Sequence, residues 1–236
     1  MARRKIVFVI VEGPSEETAL GVIMSRLFDR DTVFLKITYG DITSELDVTP
    51  GNIVGRLGDI VKNYAAAEHY KAADFKQVIH LIDMDGAFIP GDSVVEDKAA
   101  VKPFYTPTAI RTANPAAIIR RNQQKAANIK RISMLNKVWN TVPYCAYYMS
   151  CNLDHALYGK LNSSDDDKER DAYAFVRRYK DRLDEVLAFI SDSEFAYAGD
   201  IKGSWKFIQQ GKHSLERHSN FGLCFSEIRE ERKKQS

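Results

Sequence analysis

Short, continuous apolar runs recur along the chain, and they most constrain what it can fold into. Residues 5–11 (KIVFVIV) form the first run, which is rich in β-branched side chains and has no polar residue after Lys5. Such a run is typical of a strand that is buried on both faces of a parallel sheet. Similar runs predict further strands at residues 32–38 (TVFLKIT), 77–83 (QVIHLID) and 144–149 (YCAYYM).

Helical periodicity separates these runs. After the first strand, apolar side chains recur at spacings of three and four residues, at Leu20, Ile23, Met24 and Leu27. Comparable patterns predict helices over residues 52–69, 115–140, 153–160, 168–190, 204–210 and 222–233. The alternation of strands and helices predicts the α/β class, with a mainly parallel central sheet flanked by helices and a helical C-terminal part.

The strand pattern ends before residue 163. We therefore predict an α/β domain over residues 1–162 and a helical extension over residues 163–236 that packs on it. Residues 86–110 carry three prolines and little periodicity, so we predict a long loop there. Loops of this length inside a compact domain are uncommon and are often functional.

Composition excludes several classes of protein. Lys and Arg number 34 against 32 Asp and Glu, so the net charge does not identify a partner. Cys145, Cys151 and Cys224 lack the spacing of a zinc site and are typical of reduced cytoplasmic thiols. The first apolar run is only about six residues long before Glu12 interrupts it, too short for a secretion signal or a membrane span. We expect a cytoplasmic protein with no membrane partner.

Acidic residues follow two of the predicted strands. Glu12 comes directly after the first, and Asp83 and Asp85 come at the end of the third. Open parallel sheets place their chemistry at the carboxyl ends of strands, and a spacing of two residues on extended chain points both aspartates the same way. Gathered carboxylates repel one another unless a cation binds them, and oxygen ligands suit Mg²⁺ or Mn²⁺. Each motif alone is also compatible with an ordinary strand exit or helix start.

Two of these segments resemble the Toprim domain. The segment VEGPSEE, followed about seventy residues later by LIDMDG, is similar to the family signature of an acid after the first strand and D-x-D after a later one. The resemblance covers residues 5–160 and is closest to OLD-type and small stand-alone Toprim nucleases, including the RloB-like group of bacterial defence. The segment MSCNLDHALYG resembles a third family motif, with Asp154 in place of Glu, and the family lysine corresponds to Lys202 in GDIKGSWK.

The resemblance implies a nuclease that cleaves phosphodiester bonds with Mg²⁺ or Mn²⁺ and with water as the nucleophile. It implies a role in defence against phages or plasmids. The implied metal-binding residues are Glu12, Glu16, Asp83, Asp85 and Asp154, and the implied catalytic residues are Glu12, Asp83, Asp85 and Lys202. OLD-type proteins normally carry an ATPase domain, but this sequence has no P-loop. A sensor or ATPase partner is therefore expected to be a separate polypeptide, unless the protein works alone.

The predicted helix over residues 115–140 is basic and contains no acid. A solvated helix face is the default interpretation of such a pattern. If the helix borders the acidic strand ends, its cations would neutralise backbone phosphates, so the expected partner is DNA or RNA. The candidate nucleic-acid-binding residues are Arg120, Arg121, Lys125, Lys130 and Arg131, and Lys137 extends the set.

Two other functions stay open from the sequence. LIDMDGAF also resembles the D-x-D-G motif of haloacid-dehalogenase-type phosphatases, with Asp83 as nucleophile and Asp85 as acid. That motif normally opens the first strand of its domain, and Ala87 stands where threonine is expected. The second alternative is a non-catalytic Toprim-like protein that binds nucleic acid or a protein partner and keeps its acids for structural reasons.

Overall fold

The computed structural model describes residues 4–29, 31–38 and 40–234. The ends of the predicted domains at residues 1–3 and 235–236 lie outside the described residues. The strands are β1 (Ile6–Val11), β2 (Thr32–Ile37), β3 (Phe75–Asp83), β4 (Val94–Glu96), β5 (Phe104–Tyr105), β6 (Ile110–Thr112), β7 (Lys137–Val138), β8 (Val142–Ser150) and β9 (His218–Ser219). The α-helices are α1 (Pro14–Leu27), α2 (Ile53–Ala67), α3 (Pro115–Ile132), α4 (Leu153–Tyr158), α5 (Asp165–Tyr179), α6 (Leu183–Asp192), α7 (Ile201–Ile208) and α8 (Ser226–Lys233).

The central sheet confirms the predicted α/β class, with a mainly parallel sheet and flanking helices. Its strand order is β2-β1-β3-β8-β7, and β9 pairs with β8. Strand β1 runs parallel to both of its neighbours, with Ile10 opposite Lys36 in β2 and His80 in β3. All six residues of β1 are buried, as expected for a continuous apolar run at an interior position of a sheet.

The predicted loop at residues 86–110 is wrong in part. Three short strands lie in or next to it and form a second sheet in the order β4-β6-β5. Strands of two or three residues are too short to show a periodicity of two, which explains why the pattern missed them. Strand β9 was missed in the predicted helical part for the same reason.

Two predicted helices have different bounds. The basic helix ends at Ile132, because the chain turns there and then forms β7, which pairs antiparallel with β8. The predicted helix over 168–190 is two helices, α5 and α6. At the end of α5, Arg26 Nη1 donates to the carbonyl of Lys180 at 2.7 Å and to Asp181 Oδ1 at 2.6 Å, so the break is stabilised by a side chain distant in sequence.

The described residues group into two compact units. One comprises the chain up to Ile82 together with residues 127–147 and 172–183, and the other comprises residues 83–126, 148–171 and 184 onward. The predicted boundary after residue 162 is a different division and stays a prediction. No helix among the described residues combines the length and the apolar character needed to cross a bilayer.

Each unit has its own apolar core. In the first, Phe8 lies among three aromatic rings, with centroid distances of 5.4 Å to Phe34, 5.1 Å to Tyr64 and 6.1 Å to Phe75. In the second, a cluster of buried side chains packs beneath the small sheet. Its members are Ile89, Val94, Ile110, Ile118, Cys151 and Leu215.

Replacing Phe8 with alanine should destabilise the first unit strongly. The ring is fully buried, so truncation removes its transfer free energy and leaves a cavity, and we expect a loss of about 3–5 kcal/mol in the free energy of unfolding. Urea denaturation followed by circular dichroism measures this loss. Phe104→Ala is the matched control, since that ring is 51% exposed and its removal should change stability by no more than about 0.5 kcal/mol. Equal losses in the two variants would contradict the prediction.

Candidate active site at the Asp83–Gly86 turn

The D-x-D segment lies where β3 passes into a tight turn. Beyond Asp83, the amide of Met84 donates to the carbonyl of Met149 at 3.0 Å, and that of Asp85 donates to the carbonyl of Cys151 at 2.8 Å. Asp85 and Gly86 have φ of +47° and +71°, both in the left-handed region. Asp85 is therefore in a turn, and the alternation of extended chain, from which the sequence predicted a shared direction with Asp83, does not set the direction of its side chain.

Packing against Gly86 explains why a glycine occupies the turn. A Cβ atom there would lie 2.8 Å from Leu215 Cδ2 and 3.0 Å from Ile110 Cδ1. The Gly86 amide donates to the carbonyl of Ser214 at 2.9 Å, and the Phe88 amide donates to Ser214 Oγ at 3.1 Å. The segment 214–215 thus holds the turn through its backbone, one hydroxyl and one apolar side chain.

Three polar side chains of α3 fix the same turn from another side. Arg121 Nη2 donates to the carbonyl of Asp85 at 2.8 Å, and Asn122 Nδ2 donates to the carbonyl of Gly86 at 3.1 Å. Lys125 Nζ donates to Asp85 Oδ2 at 2.8 Å. Residues at i, i+1 and i+4 lie on one side of a helix, so α3 can reach two successive carbonyls and one carboxylate together. We call Arg121, Asn122 and Lys125 the α3 clamp.

The clamp changes the role of two predicted nucleic-acid-binding residues. The side chain of Lys125 is 0% exposed, and a buried ammonium needs a partner in the interior, which Asp85 provides. The guanidinium of Arg121 is largely enclosed and also donates to Tyr105 Oη at 2.7 Å and to Asn122 Oδ1 at 2.7 Å. Both cations are therefore committed to the turn, and neither is the surface phosphate contact that the sequence predicted.

The other cations of the predicted set do lie at the surface. Arg120, Lys130 and Arg131 are exposed on α3, and Lys137 is exposed in β7. The difference arises from the helix period, because the charged residues of α3 are distributed around more than one side of the helix.

Asp83 is tied to the segment that resembles the third Toprim motif. Its Oδ1 accepts a hydrogen bond from the amide of Leu153 at 3.0 Å, at the start of α4. Asn152 caps α4, with Oδ1 accepting from the amide of His155 at 3.0 Å. Asp154, the predicted acid of this motif, is buried at 4% exposure. The structure thus brings Asp83 and the MSCNLDHALYG segment into contact through the backbone.

Electrostatics at the turn follow from burial and from the two aspartates. Burial and then the charge of Asp85 raise the pKa of Tyr105 to about 12. Burial, followed by the charges of Asp85 and Asp83, raises the pKa of the Cys151 thiol well above its usual value. Burial and the nearby Arg217 and His218 lower the pKa of His155 to about 4. Tyr105, Cys151 and His155 are therefore all neutral at pH 7.

The remaining predicted site residues lie in different places. Glu12 directly follows β1, and Glu16 is buried in the first turn of α1, where Ser15 Oγ donates to its Oε2 at 3.1 Å. Lys202 is exposed on α7, and within the part of the chain that the structure describes no ion pair joins it to Asp83 or Asp85. Sharing of one cation by Glu12 and the aspartates stays a prediction.

Asp83 and Asp85 offer the donor chemistry of a magnesium site of the open kind. Among residues 4–29, 31–38 and 40–234, no group of three or more His, Cys, Asp or Glu side chains is arranged to hold a metal ion. Mg²⁺, however, is commonly held by one or two carboxylates, with waters and substrate phosphates as the other ligands. Two aspartates with oxygen-only donors fit a site of that kind, and they do not fit a closed metal cage.

Sequence patterns missed the clamp. Its signal is an Arg-Asn-x-x-Lys spacing in a helix that has no acidic partner for its cations. A helix with unpaired cations at i and i+4 and an amide between them can be tested against every acidic turn that the fold brings near it.

Comparison of the chain with protein-family models, with curated proteins and with solved structures finds no match. The Toprim resemblance therefore depends on the motifs in the sequence and stays a prediction.

Replacing Gly86 with alanine should destabilise the turn. A left-handed φ costs a non-glycine residue about 1–3 kcal/mol, and the new methyl group would also meet Leu215 and Ile110. Gly211→Ala is the matched control, because Gly211 has φ +53° with no atom within 4 Å of the added Cβ. We expect Gly86→Ala to lower the free energy of unfolding by more than Gly211→Ala in urea titrations. A smaller loss in Gly86→Ala would show that Leu215 and Ile110 do not constrain the turn.

Proposed function

We propose that this protein is a divalent-metal-dependent nuclease in which Asp83 and Asp85 form the acidic centre. One observation carries the proposal: the turn after β3 is fixed on several sides although its own residues contribute little to the core. The α3 clamp holds Asp85, and the Leu153 amide holds one oxygen of Asp83. Rigid placement of ligands and donors is what catalytic sites require, since a misplacement of about 1 Å can cost roughly 100-fold in rate.

Asp85 combines a fixed position with access to solvent. Its Oδ2 accepts from Lys125, while its side chain is 23% exposed, and no hydrogen bond among the described residues engages Oδ1. Asp85 can therefore provide an oxygen ligand without leaving the clamp. Asp83 would provide the second carboxylate.

A bound Mg²⁺ or Mn²⁺ would lower the pKa of an attacking water and stabilise charge on the leaving oxygen. The residues of the chain hold the ligands in place. Arg121 and Asn122 prevent the carbonyls of Asp85 and Gly86 from turning, and Lys125 keeps the Asp85 carboxylate in one orientation. The mechanism needs no tyrosine nucleophile, and the high pKa of Tyr105 disfavours that residue in this role.

Exposed cations and an exposed aromatic ring support nucleic acid as the substrate. Arg120, Lys130 and Arg131 are positioned to contact phosphates without reading sequence. In the small sheet, Phe104 pairs with Arg111 across β5 and β6, and both side chains are exposed. An aromatic ring beside an arginine is a common platform for unpaired bases.

The wider biological role depends on the Toprim resemblance alone. Defence against phages or plasmids, a cytoplasmic location and a separate ATPase or sensor partner all belong to that resemblance and are proposed with it.

A second candidate is a non-catalytic protein that binds nucleic acid or a protein partner. The absence of a three-ligand metal group among the described residues favours it. It predicts binding without metal-dependent cleavage. The phosphatase alternative predicts turnover of p-nitrophenyl phosphate without cleavage of DNA or RNA.

Asp83→Asn should abolish cleavage that depends on Mg²⁺ or Mn²⁺. The substitution removes ligand charge at nearly constant volume, so we expect a loss greater than the roughly 10–100-fold typical of residues that only support a metal ligand. Plasmid nicking and RNA degradation on gels measure the activity, with circular dichroism as the test of folding. Asp166→Asn, an exposed aspartate in α5, is the matched control. Full activity in Asp83→Asn with metal still required would refute the assignment.

Removing the exposed cations of α3 should weaken binding across unrelated sequences. For Arg120, Lys130 and Arg131 replaced together by glutamine, each lost phosphate contact should reduce the slope of log affinity against log salt by about 0.7–0.9. Fluorescence anisotropy in EDTA, in the Asp83→Asn background, separates binding from cleavage. The control replaces three exposed cations elsewhere, Lys62, Arg177 and Lys206. An unchanged slope in the α3 variant would show that these cations form only a solvated face.

A further inference from the structure

The ion pair between Lys125 and Asp85 joins the interior to the surface. The Lys125 side chain is fully buried, whereas that of Asp85 is 23% exposed, and Nζ and Oδ2 are 2.8 Å apart. The lysine therefore approaches the carboxylate from inside the protein. Solvent, and any ion that it carries, approaches from the other side.

We propose that the Lys125 ammonium is the resident counter-ion of Asp85, which neutralises the site until a divalent cation binds there. The inference depends on the metal-binding role proposed for Asp85, and it does not depend on nuclease activity. It makes Lys125 a positioning residue that acts through Asp85.

The neighbours of Lys125 in the clamp explain why the pair stays in place. Arg121 and Asn122 hold the carbonyls of Asp85 and Gly86, so the carboxylate cannot turn away from the lysine without breaking contacts with α3. Asp85 also has a left-handed φ of +47° in a turn that packs against Leu215. The carboxylate is therefore held at a fixed point whether or not a cation is present.

Burial of Lys125 has a cost that stability alone does not explain. A buried ion pair rarely stabilises a fold more than apolar side chains of the same volume, yet loss of one partner leaves the other charge without compensation. A lysine in this position therefore serves the acidic turn, which would otherwise need a metal ion to fold. With Lys125 present, the turn can form in the absence of metal.

The inference predicts thermodynamic coupling between Lys125 and the cation. Lys125→Met keeps the length of the side chain and removes its charge. In EDTA this variant should melt below the wild type, and Mn²⁺ should restore stability because it supplies the missing positive charge. We expect the Mn²⁺-induced rise in melting temperature to exceed that of the wild type by at least roughly 5 °C. Removal of the competing charge should also tighten Mn²⁺ binding by about 10-fold or more, measured by electron paramagnetic resonance.

Two variants isolate the effect. Arg120→Met removes an exposed cation from the same helix and should respond to Mn²⁺ as the wild type does. The double variant Asp85→Asn/Lys125→Met removes both charges of the pair, so it should fold in EDTA and show no additional gain from Mn²⁺. If Lys125→Met is unfolded in EDTA, the same inference requires that Mn²⁺ restores its folded circular dichroism spectrum.

The outcomes separate this inference from the proposed function. An equal Mn²⁺ effect in the wild type and in Lys125→Met, or a Lys125→Met chain that Mn²⁺ does not fold, would overturn the role of Lys125. Metal-dependent cleavage that requires Asp83 would then still stand. Coupling between Lys125 and Mn²⁺ without cleavage of DNA or RNA would support the inference and reject the nuclease.

Discussion

The contact between Lys125 and Asp85 fixes how α3 must lie against the acidic turn. Desolvation of an ammonium costs several kcal/mol, so a conformation that buries this lysine is tolerable only when the carboxylate is in place. The same requirement brings Arg121 and Asn122 to the carbonyls of the turn, since all three side chains leave one short stretch of helix. Polar contacts thus define the position of α3 at this end as strictly as apolar packing does.

Parts of this organisation are predictable from sequence, and the reason is local. Strand β1 is predictable because an interior strand of a parallel sheet has apolar residues at every position, which few other structures require. The position of Asp83 at a strand end follows from the same pattern. The small sheet was not predictable, because β4, β5 and β6 have two or three residues each and depend on one another for their hydrogen bonds.

The assignment of the α3 cations illustrates a different limit. Periodicity indicates which residues of a helix share a side, but it does not indicate that a side rich in cations is buried. Lys125 is buried because Asp85 meets it, and that meeting depends on the tertiary fold. Arg120, one position before the clamp begins, stays in solvent. Sequence reasoning therefore found the acidic residues of the candidate site and misplaced the cations that neutralise them.

The docking of Ser214 and Leu215 on the turn has a consequence for the order of folding during synthesis. Phe88 and Ser214, which share a hydrogen bond, are separated by 126 positions in the chain. On a ribosome, the strands around β3 and the whole of α3 emerge well before the segment that completes the turn. A nascent chain can therefore form much of its parallel sheet while Gly86 still lacks its partners. The acidic turn reaches its final form late in translation, so a partly synthesised chain holds its carboxylates less rigidly than the finished one.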